Sequence, residues 1–245
     1  MDYTTRRYIA SDIELLQKAA ATASGFARQI QDGIAAARVF RDPDLTDAAQ
    51  TARREDLERN VREAGKAQVS EYRASIQRAR EYLTAQAKEH TKLPEDPAAL
   101  MLAMQRWQGV ERMLDAGHDL RDVIARTDDV STLLAIKEFA PAYEAAKGYR
   151  PATPQEAIGA ALAGSKVEQN AGSWVERAAW ARLAQVTPDP EVVALLSAAV
   201  SADAHQNAAA PWLDAGEGLA HGRGADMLGA AIASQVAAAG AGTAD

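Results

Sequence analysis

Residues 11–40 read SDIELLQKAAATASGFARQIQDGIAAARVF. Within them Ile13, Leu16, Ala20, Ala23, Ala27, Ile30, Ile34 and Ala37 recur at alternating spacings of three and four, an unbroken heptad seam. Such a face belongs on a long helix that packs along another helix. Four of the eight positions are Ala. Alanine removes little apolar area per contact, so the seam permits very close approach but holds it weakly, and its partner must supply the bulk.

The chain offers a partner after Asp42-Pro43-Asp44, where Leu57, Val61, Ala64, Gln68, Tyr72, Ile76, Ala79 and Leu83 keep one stripe. Its extra spacings of four move the repeat from seven towards eleven, which straightens the helix. Ser11 to Glu14 reads as a capping box that starts the first helix, and Asp42 followed by Pro43 as the start of the second. At 1.5 Å per residue the first helix spans roughly 45 Å and the second roughly 75 Å. A hairpin of the two therefore predicts an overhang within residues 70–92. Its stripe of Tyr72, Ile76 and Leu83 then has to pack on another copy or on the second half of the chain.

The 245 residues are 47% hydrophobic and 25% charged, which excludes a disordered chain, and aromatics at 5% with abundant Ala point to helix rather than sheet. No segment of useful length has strand periodicity. With no Cys there is no disulfide framework and no thiolate chemistry. No basic segment followed by an apolar run opens the chain and no apolar run approaches 20 residues, so a soluble, cytoplasmic protein with no membrane association is expected. The net charge is −7. Residues 1–92 hold 16 Lys and Arg against 14 Asp and Glu, whereas residues 151–245 hold 4 against 10, so the acidity sits at the C-terminal end.

Lys92-Leu93-Pro94-Glu95 ends the long segment, and Asp96-Pro97 opens the next helix by the same capping device. From there the helices shorten. One stripe, Leu100, Met101, Met104, Trp107, Val110, Met113 and Leu114, stops at Gly117; a short piece covers residues 119–126; and a third helix from Val130 meets Pro141, which is expected to kink or split it. Thr153 to Glu156 and Ser173 to Glu176 are further capping boxes, Asp189-Pro190 opens another helix, and residues 226–239 read as a helix of small residues. No tetratricopeptide or ankyrin period is present. The predicted organisation is an extended helical hairpin over residues 1–92, a compact helical domain over 93–240, and a flexible tail, 241–245.

No catalytic, cofactor or metal motif is read in the sequence. Of the four His residues only His221 has an acidic neighbour at ligand spacing, Glu217, and two ligands on a glycine-rich loop are too few for a metal. Gly216 to Gly224 has no preceding strand and no Lys-Ser or Lys-Thr, so it is not a phosphate loop. Trp107-Gln108-Gly109 matches the Trp-x-Gly turn of small secreted helical-hairpin proteins, but it sits inside an amphipathic helix rather than between two. Arg53, Arg54, Arg59, Arg62, Arg73, Arg78 and Arg80 are interleaved with Glu55, Asp56, Glu58, Glu63, Glu71 and Glu81, which cancels most attraction for nucleic acid. Trp174, Trp180 and Trp212 read as core anchors of the C-terminal helices, with Trp212 also a candidate contact for a partner.

These observations predict an all-α protein, a coiled-coil-like helical hairpin followed by a compact multi-helix bundle. The expected function is non-enzymatic: a structural or interaction protein that self-associates through its long helices as a homo-oligomer or binds a protein partner. An adaptor or a capsid-type assembly protein of a bacteriophage fits the architecture, and the Ala, Arg and Asp bias fits a GC-rich bacterial or phage genome. Tyr72, Ile76, Leu83 and Trp212 are the candidate interaction residues. The alternatives are a nucleic-acid-associated helical protein and an enzyme with an acidic site in the C-terminal bundle. No cofactor is implied.

Overall fold

The computed structural model of the chain describes residues 3–148 and 171–241. The described residues form nine helices and no strand: α1 Tyr3–Gln17, α2 Ala19–Arg38, α3 Asp47–His90, α4 Pro97–Asp115, α5 Leu120–Arg126, α6 Val130–Gly148, α7 Ala171–Val186, α8 Pro190–Ala220 and α9 Met227–Ala241. The all-α reading holds. The short helix expected after Thr153 and the tail beyond residue 241 lie outside the described residues.

The chain divides into two compact units, residues 1–85 with 201–245, and residues 86–200. This differs from the division expected near residue 92, because both changes of unit fall inside helices, α3 and α8, rather than in linkers. Residues 201–245 thus belong with the long N-terminal helices.

In the first unit the heptad seam is buried as read at Leu16, Ala23, Ala27, Ile30, Ile34 and Ala37, and Ile9 extends the seam one step upstream. The Ser11 box does not start the helix. Residues 3–10 contain neither Gly nor Pro, so α1 begins at Tyr3 and runs through Ser11; a capping residue marks a start only where the chain before it is not helical. At Lys18 the helix falters, yet Lys18 N–H donates to the Glu14 carbonyl at 3.1 Å and Thr22 N–H to the Lys18 carbonyl at 2.9 Å, which carries the helical pattern across.

Pro43 does not open α3 either. The Asp42 carboxylate accepts from Asp44 N–H at 3.0 Å, closing a local turn, and the helix starts four residues after Pro43, with Thr46 Oγ1 accepting from Ala49 N–H at 3.4 Å. The 44-residue α3 then runs antiparallel to α2. Arg38 pairs with Glu58 at 3.2 Å, a Cβ added at Gly33 would lie 2.9 Å from Val61 Cγ1, one added at Gly65 would lie 2.6 Å from Ile30 Cγ1, and Phe26 meets Tyr72 edge to face at 5.1 Å. The α3 face is therefore Val61, Gly65, Val69, Ile76, Ala79 and Leu83. Gly65 and Val69 are buried where Ala64 and Gln68 were expected, since Ala64 is exposed and Gln68 half-buried. Glycine lets the bulk of Ile30 sit against the α3 backbone, the close approach that an Ala-rich seam requires.

The expected overhang is covered within this chain. The C-terminal part of α8 lies antiparallel along α3, with Arg80 on Asp203 at 2.5 Å, Gln206 donating to Gln77 at 3.1 Å, Arg73 on Asp214 at 2.8 Å, and Arg62 on the Leu219 carbonyl. A Cβ on Gly216 would lie 3.1 Å from Val69 and 3.7 Å from Ala27 Cα, so α2, α3 and α8 converge on one glycine. The helix carries Pro211 in its interior, forgoing the bond to the Asn207 carbonyl.

The second unit is built from larger side chains. Leu133, Ala135, Ile136 and Ala140 of α6, Val175, Ala179, Trp180 and Leu183 of α7, and Leu195 and Leu196 of α8 form its core. Asp96 caps α4 through Ala99 N–H at 3.0 Å, Asp119 caps α5 through Arg121 N–H at 2.7 Å, and Asp129 caps α6 through Thr132 N–H at 3.0 Å. Trp107 of α4 packs on Phe139 and Tyr143 of α6, at 6.3 and 5.6 Å between ring centres. Pro141 neither splits nor ends α6, which continues to Gly148.

Candidate functional site

The four candidate interaction residues are placed inside the first unit. Ile76, Leu83 and Trp212 are buried, and Tyr72 is half-buried against Phe26. No uncovered stripe of α3 is left at Tyr72, Ile76 and Leu83: Tyr72 packs on Phe26 of α2, and the neighbouring Gln77 and Arg80 meet Gln206 and Asp203 of α8. Five of the seven arginines of α3 are similarly engaged: Arg54 donates to the Phe40 carbonyl at 2.8 Å, Arg59 pairs with Asp56 at 3.0 Å, Arg62 with Glu58 at 2.5 Å, and Arg73 and Arg80 with acids of α8. The Arg38 and Arg62 guanidinium groups, in that order, hold the Glu58 carboxyl below the usual glutamate range. Charges committed in this way are poor anchors for phosphates.

Uncovered apolar surface lies elsewhere. On α9, Leu228, Ile232 and Val236 are 72, 55 and 67% exposed. They follow at four-residue steps along one ridge of the helix, exposed Ala239 continues it, and Gly229 and Gln235 flank it, while Ala230 and Ser234 are buried. The sequence held this signal, but Met227, Leu228, Ile232 and Val236 in a fifteen-residue helix dominated by Ala and Gly do not stand out by composition. A second exposed group, Leu100, Met101 and Met104, lies on the first turns of α4 in the other unit.

Each unit also carries a polar cluster. In the first unit a recess of about 380 Å³ is lined by Asp214, Glu217, Gly218, Arg223 and Gly224. Its acidity is neutralised in part by Arg73, which reaches both Asp214 and Glu217, at 2.8 and 3.2 Å. His221 stands 3.9 Å from Glu217, and Gly222 takes a φ of +74°, which turns the chain from α8 towards α9. Among the described residues no group of three or more His, Asp or Glu is placed to hold a metal.

In the second unit Thr91, 2% exposed, is a hydrogen-bond hub. Its hydroxyl donates to the Ala87 carbonyl at 2.7 Å and accepts from Trp180 Nε1 at 3.1 Å and from Lys137 Nζ at 3.3 Å. Burial pushes the Lys137 ammonium below the usual lysine range, against the pull of Glu138 and Glu176, and Lys88 adds to the depression. Glu176 is itself shared with Lys88 at 3.4 Å. A partly desolvated ammonium has a larger neutral fraction than a surface lysine, which is the chemical prerequisite of a base or nucleophile. The hub as a whole has the form of a satisfied buried network that fixes α6 and α7 against the end of α3.

Among the described residues no helix is long and apolar enough to cross a membrane. Comparison of the chain with family models, with curated proteins and with solved structures found no match.

Proposed function

We propose that the protein is a non-enzymatic helical interaction protein of assembly or adaptor type that self-associates. The observation that supports this reading is the exposed stripe of Leu228, Ile232 and Val236 on α9, a contiguous apolar face on a unit that otherwise buries its seams. The long helices contribute the framework rather than the contact surface, since their apolar faces are spent within the chain. Sedimentation of the full chain over a wide concentration range tests the reading. The weight-average mass is expected to rise above that of the monomer as concentration increases, and a mass that stays monomeric at every concentration overturns it.

A further inference from the structure

We infer that the partner of α9 is the α9 of a second copy, packed antiparallel about a two-fold axis that passes through the contact between the two Ile232 side chains. The inference rests on the self-association reading above and adds to it the surface, the orientation and the register.

The identity of the occupant follows first from charge. No charged residue occurs from Met227 to Ala244, while each copy carries a net charge of −7. A charge-free face is where two like-charged copies meet without placing like charges against each other. A strongly charged partner finds nothing there to complement. An anionic membrane surface is also a poor match, because the helix has no Lys or Arg of the kind that interfacial helices place beside their apolar face.

Register follows from the order of the side chains. The ridge presents Leu228, Ile232 and Val236 at equal steps, so its middle is Ile232. Reversing one helix about that residue sets Leu228 against Val236 on either side of an Ile232 pair, and the three layers hold nearly the same volume. A parallel, in-register pair would instead stack Leu on Leu at one end and Val on Val at the other, and the space between the helices would taper. The same patch then serves both subunits, as a two-fold interface requires, and the helix dipoles oppose each other favourably.

Size sets the strength. Three large side chains with their flanking Ala and Gly fall short of the ~800 Å² per partner of a standard stable interface, so the pair is concentration-dependent.

Because the chain has no Cys, an introduced thiol is unique. Leu228→Cys and Val236→Cys, both at exposed positions, are prepared separately, mixed as full-length proteins and oxidised. The expected product is the mixed disulfide in excess of either homodimer. In the antiparallel pair positions 228 and 236 face each other within disulfide reach, whereas two copies of position 228 stand eight residues of helix apart, about 12 Å along the axis. Alongside, Ile232→Asp is expected to weaken self-association roughly tenfold or more while leaving the unfolding midpoint of the monomer unchanged, because the residue is exposed before association. Dominant Leu228→Cys and Val236→Cys homodimers would overturn the antiparallel register while leaving self-association intact. Undiminished association of Ile232→Asp would place the contact on another surface, with the same consequence. A wild type that is monomeric at all concentrations, with Cys variants that yield no disulfide, would overturn both this inference and the reading it rests on.

Discussion

The two units hold their helices by opposite means. In the first, Ala and Gly line the contacts: Ala23, Ala27, Gly65 and Gly216 let backbones approach until a Cβ added at either glycine would crowd its neighbour, and polar rungs between α3 and α8 add register. In the second, Leu133, Ile136, Leu183, Leu195 and Leu196 fill the interior and one polar hub fixes the register. Close approach with little area and wide separation with much area are alternative solutions to the same packing problem. They fail in opposite directions, the first when a side chain is enlarged and the second when one is cut back.

The largest effect is expected from cutting back the second unit. Leu133 is fully buried, and Leu133→Ala should cost about 2–5 kcal/mol by leaving a cavity; urea denaturation measures it, and a loss under about 1 kcal/mol would mean that α6 collapses onto the gap. Enlarging the first unit comes next. Gly65→Val places its branched Cβ where 2.6 Å separates that position from Ile30 Cγ1, and since Ile30 is itself buried a cost of about 1–3 kcal/mol is expected despite the better helix propensity of valine. A stabilised Gly65→Val protein would show that the α2 and α3 contact is loose.

The smallest effect concerns pH. Lys137 has a folded-state pKa below its unfolded value, so the unfolded chain binds more protons between those two values and stability from this residue rises with pH across that window. Below it, the cost of burying the charged ammonium is constant and fully present. Lys137→Met removes the charge and keeps most of the length. The difference in unfolding free energy between variant and wild type should therefore favour the variant at neutral pH and shrink as pH rises towards the usual lysine range. A difference that does not change with pH would mean that the ammonium is solvated in the folded protein.

How far the sequence discloses this arrangement depends on what kind of contact is read. The seam of α1 and α2 was legible because Ile30 and Ile34 punctuate the alanines at heptad spacing, and six of its eight positions are buried. The α3 face was legible only in part, since a search for apolar side chains passes over Gly65, whose contribution is the absence of one. The packing of α8 along α3 was not legible. It comes from a segment more than 100 residues later in the chain, and nothing local to residues 201–220 states which stripe it meets. The starts of α4 and α8 were readable from Asp96 and Asp189 because those caps follow non-helical chain, whereas Ser11, preceded by residues already helical, misled. The α9 stripe was hidden by composition: its spacing was present, but the surrounding alanines made an exposed apolar face look like filler.

The discontinuity of the first unit has a consequence for the order in which the protein is made. Residues 1–85 leave the ribosome well before residues 201–220, and at about 5–20 residues per second the interval is roughly 6 to 25 seconds. Throughout it Val69, Gln77 and Arg80 have no α8 to lie against, while residues 86–200 emerge as one uninterrupted span. A nascent chain in that state shows an apolar side chain beside a dense row of charges, the arrangement that delays sticking between neighbouring chains on a polysome. The Arg and Glu residues of α3 thus act before the fold exists, as a solubilising sheath for a helix still waiting for its cover.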